Sequence, residues 1–145
     1  MRIRSLLQSQ ELLMLDEGAT VLDAARAMSA KKVGAVLVTI GGGRLAGIFT
    51  ERDLMSRVVV ARKDPEKVLL REVMTPEVFS VGIDAEVKHV RVELQQRHIR
   101  HVPVIVEGRV AGILSLRDLL RADIDEMSVE VQALESYFLG GPEVL

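Results

Sequence analysis

The chain has 145 residues, of which 48% are hydrophobic and 28% charged, a composition typical of one soluble domain with a substantial core. The net charge of −2 disfavours nucleic acid as the main partner, because a backbone binder needs a basic surplus. The absence of cysteine excludes disulfides, thiolate metal sites and cysteine nucleophiles. No apolar run reaches the ~20 residues that span a bilayer and no signal-peptide core is visible, so we expect a cytoplasmic protein without membrane contact.

In chain order, the first half reads as strand, helix, two strands and helix. Thr20, with Asp23 three residues later, predicts a capping box at the start of the first helix. The glycine triplet at 41–43 predicts a flexible turn and not a phosphate loop, because no helix follows it. The predicted strands are 12–15, 35–40 and 45–49, and the second helix is 51–60.

A linker and a second half follow in the same order. Asp64 and Pro65 predict the start of a linker helix over 66–73, which Met74-Thr75-Pro76 ends, and 3–9 reads as a degenerate version of this entry. Asp84 is the predicted cap of the next helix, on which Val87, Val90 and Leu94 share a face. The remaining predicted elements are strands 78–81, 102–106 and 110–114, a helix 116–122, and a tail helix 124–139 ended by Gly140-Gly141-Pro142.

The two halves are copies of one unit. The segments 44–54 and 109–119 agree at seven of eleven positions, and Thr50 corresponds to Ser115. A unit of about 60 residues buries little surface alone, so we expect the two copies to pack against each other. The predicted fold is therefore α+β, with two tandem β-α-β-β-α repeats and a C-terminal helix. The predicted boundaries are 2–61, 66–125 and 126–145.

This pattern resembles the cystathionine β-synthase (CBS) domain in tandem, and in particular the small stand-alone pairs. The resemblance rests on Val73-Met74-Thr75, on 99–104 (IRHVPV), and on two endings with a glycine, a hydroxyl residue and an aspartate, which are 47–53 (GIFTERD) and 112–118 (GILSLRD). It implies pseudo-twofold packing, association into homodimers, and a non-catalytic module that binds an adenosine-containing nucleotide between the repeats. The implied ligands are AMP, ADP, ATP or NAD(H), with no required cofactor, and the implied partner is an enzyme or transporter.

Each hydroxyl-x-x-Asp segment lies where a strand gives way to a helix, whose unpaired N–H groups favour phosphate. An ionised carboxylate accepts hydrogen bonds from both hydroxyls of a ribose. We therefore predict ribose binding by Thr50 and Asp53 in the first repeat and by Ser115 and Asp118 in the second. The alternative is that each aspartate only completes a capping box with the hydroxyl residue before it.

Phosphate groups need cations, and the second repeat is rich in them. Arg100 and His101, at the start of a strand, are the main candidates, since members of the resembled family often hold basic residues there that contact phosphate. His101 is expected to be partly charged near pH 7. Arg52 and Arg117, each one residue before an aspartate, are further candidates or else ordinary surface charges. The first repeat has glycine and alanine in place of Arg100 and His101. The sequence therefore does not decide which of the two clefts Arg100 and His101 serve.

The adenine is expected in an apolar slot that Val81 and Pro103 line, although either residue fits the core equally well. A zinc site built on His98 and His101 is disfavoured, because no cysteine supports it and the two residues belong to different elements. Two alternatives to the nucleotide sensor stay open: an interaction module with a vestigial cleft, and a binder of S-adenosylmethionine.

Overall fold

The computed structural model describes residues 1–7 and 12–139, and it confirms the predicted α+β fold of two repeats with a C-terminal helix. Residues 8 and 9 of the predicted N-terminal entry, and the predicted stop at 140–142, lie outside the described residues. A 3-10 turn, Ile3–Leu6, precedes the first repeat. The elements of that repeat are β1 (Met14–Asp16), α1 (Val21–Lys31), β2 (Ala35–Ile40), β3 (Arg44–Thr50) and α2 (Glu51–Asp53), which continues as π-helix over Leu54–Val59. The linker helix is α3 (Leu70–Val73), and α4 (Val87–Arg97), β4 (His101–Val106), β5 (Arg109–Ser115) and α5 (Leu116–Phe138) follow.

Each repeat is built on an antiparallel hairpin. In the first repeat β2 pairs with β3, and β1 adds to the other edge of β2 in parallel, as a strand-helix-strand crossover requires. In the second repeat β4 pairs with β5, and the predicted strand 78–81 is reduced to a single parallel bridge between Val81 and Val104. All three residues of the turn 41–43 have positive φ, which agrees with the turn predicted there.

Helix starts agree with the sequence in α1 and differ in α4. The predicted capping box of α1 is present, because Thr20 Oγ1 accepts the Asp23 N–H and the Asp23 carboxylate accepts the Thr20 N–H. The prediction that Asp84 caps α4 is wrong. The helix starts after Glu86 without a side-chain cap, and Asp84 Oδ1 instead accepts a hydrogen bond from Arg4 Nη2 at 2.8 Å.

Two predicted helix boundaries are wrong. The linker helix starts at Leu70 and not at 66, because Asp64 Oδ1 accepts the Glu66 N–H in a turn and Leu69 is extended and bridged to Thr20. The predicted helices 116–122 and 124–139 form one continuous α5, since no glycine or proline separates them.

The entry segments are exchanged between the repeats. Ile3, which precedes the first repeat in the chain, is fully buried in the core of the second, and its N–H donates to Ala85 O at 2.8 Å. Leu70 and Val73, which precede the second repeat, are buried in the core of the first. The core of each repeat is therefore completed by the segment that precedes the other repeat in the chain. This reciprocal packing is the pattern expected of repeats related by pseudo-twofold symmetry.

The linker also runs directly against β3. Thr75 pairs with Ile48 through two backbone hydrogen bonds of 3.0 and 2.9 Å. A Cβ atom at Gly47 would lie 2.7 Å from both Met74 Sδ and Thr75 O, so this position has no room for a side chain. A third apolar cluster, between the two sheets, contains Ala35, Leu37 and Ile48 with Val78, Val110 and Ile113. The linker and this cluster hold the repeats together at the edge where the candidate site lies.

Candidate functional site

Two clefts open where the repeats meet. The first cleft has a volume of about 850 Å³ and combines residues of both repeats with the linker. Its apolar wall consists of Ile48, Val78, Phe79 and Ile99. Its polar residues are Thr50, Glu51, Arg52, Asp53, Thr75, Glu77, Arg97, His98, Arg100 and His101. Three arginines thus face three carboxylates, so the formal charge of this lining is close to zero.

The second cleft has a volume of about 920 Å³ and is more open to solvent. It is lined by Ser115 and Leu116 at the start of α5, by further residues along that helix, and by the end of α1. Its charged residues are Lys32, Glu51, Arg100, Arg117, Arg121 and Asp125, with four cations against two carboxylates. The second cleft is therefore the more electropositive of the two.

The two clefts are contiguous, because Gly34, Glu51, Arg100 and His101 line both. The backbone fixes Arg100 here: its carbonyl accepts the Leu116 N–H at 2.7 Å, just as Gly34 O accepts the Glu51 N–H in the first repeat. The two repeats thus place equivalent backbone at the same point and different side chains on it. The second repeat supplies a cation at this point, whereas the first supplies a glycine that lies next to the Glu51 carboxylate.

Asp53 is 7% exposed, lines the first cleft and completes a capping box. Its Oδ2 accepts hydrogen bonds from Thr50 N at 3.0 Å and from Thr50 Oγ1 at 3.2 Å. Its Oδ1 lies 3.6 Å from Arg57 Nε, and Arg57 also donates to the carbonyls of Val73 and Met74 in the linker. The capping role is therefore present in the structure. Both oxygens have protein partners, so a ribose hydroxyl must share an oxygen with one of them.

Asp118 has the same local geometry in a different setting. Its Oδ2 accepts the Ser115 N–H at 2.8 Å, and Ser115 Oγ accepts the Asp118 N–H at 3.1 Å. Ser115 lines the second cleft, whereas Asp118 is exposed and lines neither cleft. Of the predicted ribose-binding residues, Thr50 and Asp53 thus line the same cleft, whereas Ser115 lines a cleft and Asp118 lies on the surface.

His101 lies at the meeting point of the clefts with its pKa lowered from 6.5. Burial is the main cause, and the nearby Arg100 charge acts in the same direction, while Asp118 and Glu51 oppose the shift. The lowered pKa disfavours the partial charge that is expected on His101 near pH 7, because burial favours the neutral imidazole. An anion placed beside His101 raises the pKa again.

The remaining predicted residues are divided. Arg52 lines the first cleft and Arg117 the second. Val81 and Pro103 line neither: Val81 packs on the second-repeat core, and its N–H donates to Pro103 O at 3.0 Å. Phe79 lines the first cleft instead, with the Arg97 guanidinium 4.3 Å from its ring centre.

Lys32 also lines the second cleft, although the sequence did not lead us to predict it there. A signal existed, because Lys32 ends α1 as His98 ends α4, and both have positive φ. The offset of 66 residues that relates the repeats connects the two positions. No group of three or more His, Asp or Glu residues able to hold a metal ion occurs in residues 1–7 and 12–139. Within the same ranges, no helix is both long and apolar enough to cross a membrane.

Comparison with known families assigns this architecture. The model of the CBS domain matches residues 3–60 and 70–125, which are most of the chain. The chain belongs to the CBS domain family. CBS pairs are generally regulatory rather than catalytic modules, and they generally bind adenosine-containing ligands.

Individual relatives agree with this assignment. The chain is 34% identical over 126 residues, 84% of its length, to the mitochondrial CBS domain-containing protein CBSX3 of Arabidopsis thaliana. It spans 61% of that protein and less than a quarter of two further Arabidopsis CBS proteins.

Solved structures agree as well. A CBS-domain protein from Burkholderia ambifaria is similar with a TM-score of 0.80 and 27% identity, over 86% of this chain and 95% of that one. The CBS pair of protein MJ0100, solved with 5′-methylthioadenosine and S-adenosyl-L-methionine, has the same fold with a TM-score of 0.77 and 23% identity, over 87% and 98% of the two chains.

Proposed function

We propose that this CBS pair is a regulatory sensor that binds a phosphate-bearing adenosine nucleotide, such as AMP, ADP, ATP or NAD(H), in the first cleft. One observation carries the proposal: this cleft brings Thr50 and Asp53 of the first repeat together with Arg100 and His101 of the second. A hydroxyl and a carboxylate suit the ribose, and an arginine suits the phosphate because its planar fork donates two parallel hydrogen bonds.

The apolar wall of the first cleft completes the requirements for a nucleoside. Val78 and Phe79 come from the start of the second repeat and Ile48 from β3 of the first, so the base would lie between the two repeats. A largely apolar pocket with a few polar groups that fix orientation is the usual construction of a small-molecule site. In this arrangement Phe79 and Ile48 replace Val81 and Pro103 as the proposed adenine contacts.

The shared position of Arg100 and His101 limits the number of phosphorylated ligands. Both residues line both clefts, so two nucleotides in one pair would compete for the same cations. We therefore propose one phosphate-bearing nucleotide per pair. Its ribose lies in the first cleft, and its phosphates extend past Gly34 toward Arg117 in the electropositive second cleft.

Regulation follows from where the ligand contacts the protein. The proposed contacts come from both repeats and from the linker, so the nucleotide stabilises one arrangement of the repeats over others. The free energy with which the nucleotide can shift the state of a partner enzyme or transporter is set by the difference between its affinities for these arrangements. Such a sensor acts without catalysis, and the cytoplasmic location stays part of the proposal.

Two other functions have specific support. S-adenosylmethionine, with which the MJ0100 pair was solved, would use the same carboxylate and fewer cations. A pure interaction module is favoured by the hydrogen-bonded state of Asp53 and by the exposed second half of α5.

Isothermal titration of nucleotide-free protein with AMP, ADP, ATP, NADH, S-adenosylmethionine and adenosine separates the three functions. We expect saturable heat with a stoichiometry of one for a phosphorylated ligand, and weaker binding of adenosine. Tighter binding of S-adenosylmethionine than of any nucleotide would favour the second function. The absence of binding heat with every ligand would contradict both ligand-binding functions and would favour the interaction module.

A further inference from the structure

The two repeats differ four residues after the aspartate of each duplicated ending. In the first repeat Arg57 follows Asp53, and its Nε lies 3.6 Å from Asp53 Oδ1. In the second repeat Ala122 follows Asp118, and it is buried. The backbone differs at the same point, because Arg57 lies in the π-helical turn after α2, whereas α5 continues as a regular α-helix. A π-helical turn is rare and often occurs at a functional site, so this difference directs attention to Arg57.

The two oxygens of the Asp53 carboxylate have different surroundings. Oδ2 accepts both hydrogen bonds of the capping box from Thr50. The distance of 3.6 Å between Oδ1 and Arg57 Nε is too long for a hydrogen bond, so the arginine attracts Oδ1 without occupying its lone pairs. Oδ1 is therefore the oxygen that suits a ribose hydroxyl, and the Arg57 charge beside it restrains the carboxylate.

Arg57 also binds the end of the linker. Its Nη1 donates hydrogen bonds to the carbonyl oxygens of Val73, at 3.2 Å, and of Met74, at 3.0 Å. The linker helix α3 ends here, where carbonyl groups have no partner within the helix. We call residues 73–75 the linker end. One planar guanidinium thus contacts the proposed ribose carboxylate through Nε and the linker end through Nη1, and its rigid fork relates the two positions.

The linker end belongs both to the first cleft and to the contact between the linker and β3. Thr75 lines the first cleft and pairs with Ile48 of β3 through two backbone hydrogen bonds. Met74 packs so closely on β3 that a Cβ atom at Gly47 would lie 2.7 Å from its sulfur. Because tightly packed segments transmit small displacements, the position of Arg57 affects the segment that joins the two repeats.

We propose that Arg57 is a positioning residue that couples occupancy of the ribose site at Asp53 to the order of the linker end. The inference rests on the proposed nucleotide function and assigns its regulation to one side chain. A ribose hydroxyl that donates to Oδ1 immobilises the Asp53 carboxylate, and the carboxylate then holds Arg57 in the geometry that binds the linker carbonyls. Since Ala122 takes this position in the second repeat, the coupling is confined to the first cleft.

Amide hydrogen exchange of the full chain, with and without saturating AMP, tests the coupling. In the wild type, AMP should slow exchange of the hydrogen-bonded Met74 and Thr75 amides at least about tenfold more than that of the Ile105 amide in the second repeat. Arg57→Gln should lose most of this difference and bind AMP about fivefold more weakly, because coupling acts equally in both directions. Arg62→Gln is the matched control, because Arg62 is exposed and lines neither cleft, and it should behave like the wild type.

Arg57→Lys separates the charge of Arg57 from its fork. Lysine keeps a cation beside Asp53 but replaces the guanidinium by a single nitrogen. We expect this variant to bind AMP within about twofold of the wild type, because the charge is retained, and to show reduced protection of the linker end. Protection equal to that of the wild type would contradict the bridging role of the fork. Thermal unfolding of each variant verifies that it is folded.

The coupling and the proposed function fail in different ways. Wild-type protein that binds AMP without slowing the Met74 and Thr75 amides would overturn the coupling alone. The same conclusion would follow if Arg57→Gln, saturated with AMP, kept the protection of the wild type. Wild-type protein that binds no nucleotide in the calorimetric titration would overturn the proposed function and the coupling together.

Discussion

Asp53 Oδ2 lies 3.0 Å from Thr50 N and 3.2 Å from Thr50 Oγ1, so one carboxylate both caps α2 and lines the first cleft. The same box occurs at Thr20 and Asp23, which line neither cleft. The chain thus contains an internal control that separates the structural role of the motif from a role in ligand binding.

Asp53→Asn should weaken nucleotide binding at least about tenfold, because a neutral amide presents only one oxygen to the ribose hydroxyls. Its cost in the free energy of unfolding should be about 1 kcal/mol, from weaker capping. Asp23→Asn should have a similar cost in stability and leave the titration unchanged. Equal affinities for the two variants would mean that Asp53 only caps α2.

Arg100→Gln should discriminate between phosphorylated and unphosphorylated ligands. Loss of charge-assisted hydrogen bonds worth about 2 kcal/mol should weaken AMP or ATP binding roughly 30-fold and leave adenosine binding nearly unchanged. Arg109→Gln is the matched control, because Arg109 is exposed on β5 and lines neither cleft. An equal loss for AMP and adenosine would contradict a phosphate contact.

The affinity for a phosphorylated nucleotide should rise as the pH falls from about 8 to 6.5, because the anion favours protonated His101. In the protein alone the pKa of His101 is lowered by burial, so protonation destabilises the fold as the pH falls below 6.5. Titrations across this range measure the first effect, and thermal unfolding measures the second. Both effects should be lost in His101→Gln, and the rise in affinity should be absent with adenosine. If the affinity of the His101→Gln variant still rose as the pH fell, a group other than His101 would be responsible for the pH dependence.

The exchanged entry segments should make the two repeats unfold together. Ile3→Ala should cost about 3 kcal/mol, because this fully buried side chain fills the core of the second repeat. Leu70→Ala should act in the same way on the first repeat. Val60→Ala, at a residue 73% exposed, is the control and should have little effect. Urea unfolding followed by circular dichroism should show one transition in every variant, and two separate transitions would contradict the coupling.

Local sequence was sufficient wherever the cause of structure was local. The capping box at Thr20 and the hairpin turn at 41–43 both depend on neighbours within a few residues. The duplicated endings that contain Asp53 and Asp118 identified the repeats, and with them the family, before any contact was known.

Tertiary structure decided what distant segments do to one another. Aspartate is a residue type that commonly caps helices, yet the Asp84 carboxylate accepts a hydrogen bond from Arg4 of the exchanged N-terminal segment instead. The linker helix lost its first turn because Leu69 pairs with Thr20, about fifty residues earlier. Arg100 lies in both clefts, and Asp53 lies in a cleft where Asp118 does not. The repeated sequence thus determined two similar hairpins, each followed by a capped helix start, while the packing between the repeats made the two sites unequal, because residues of one repeat complete the cleft of the other.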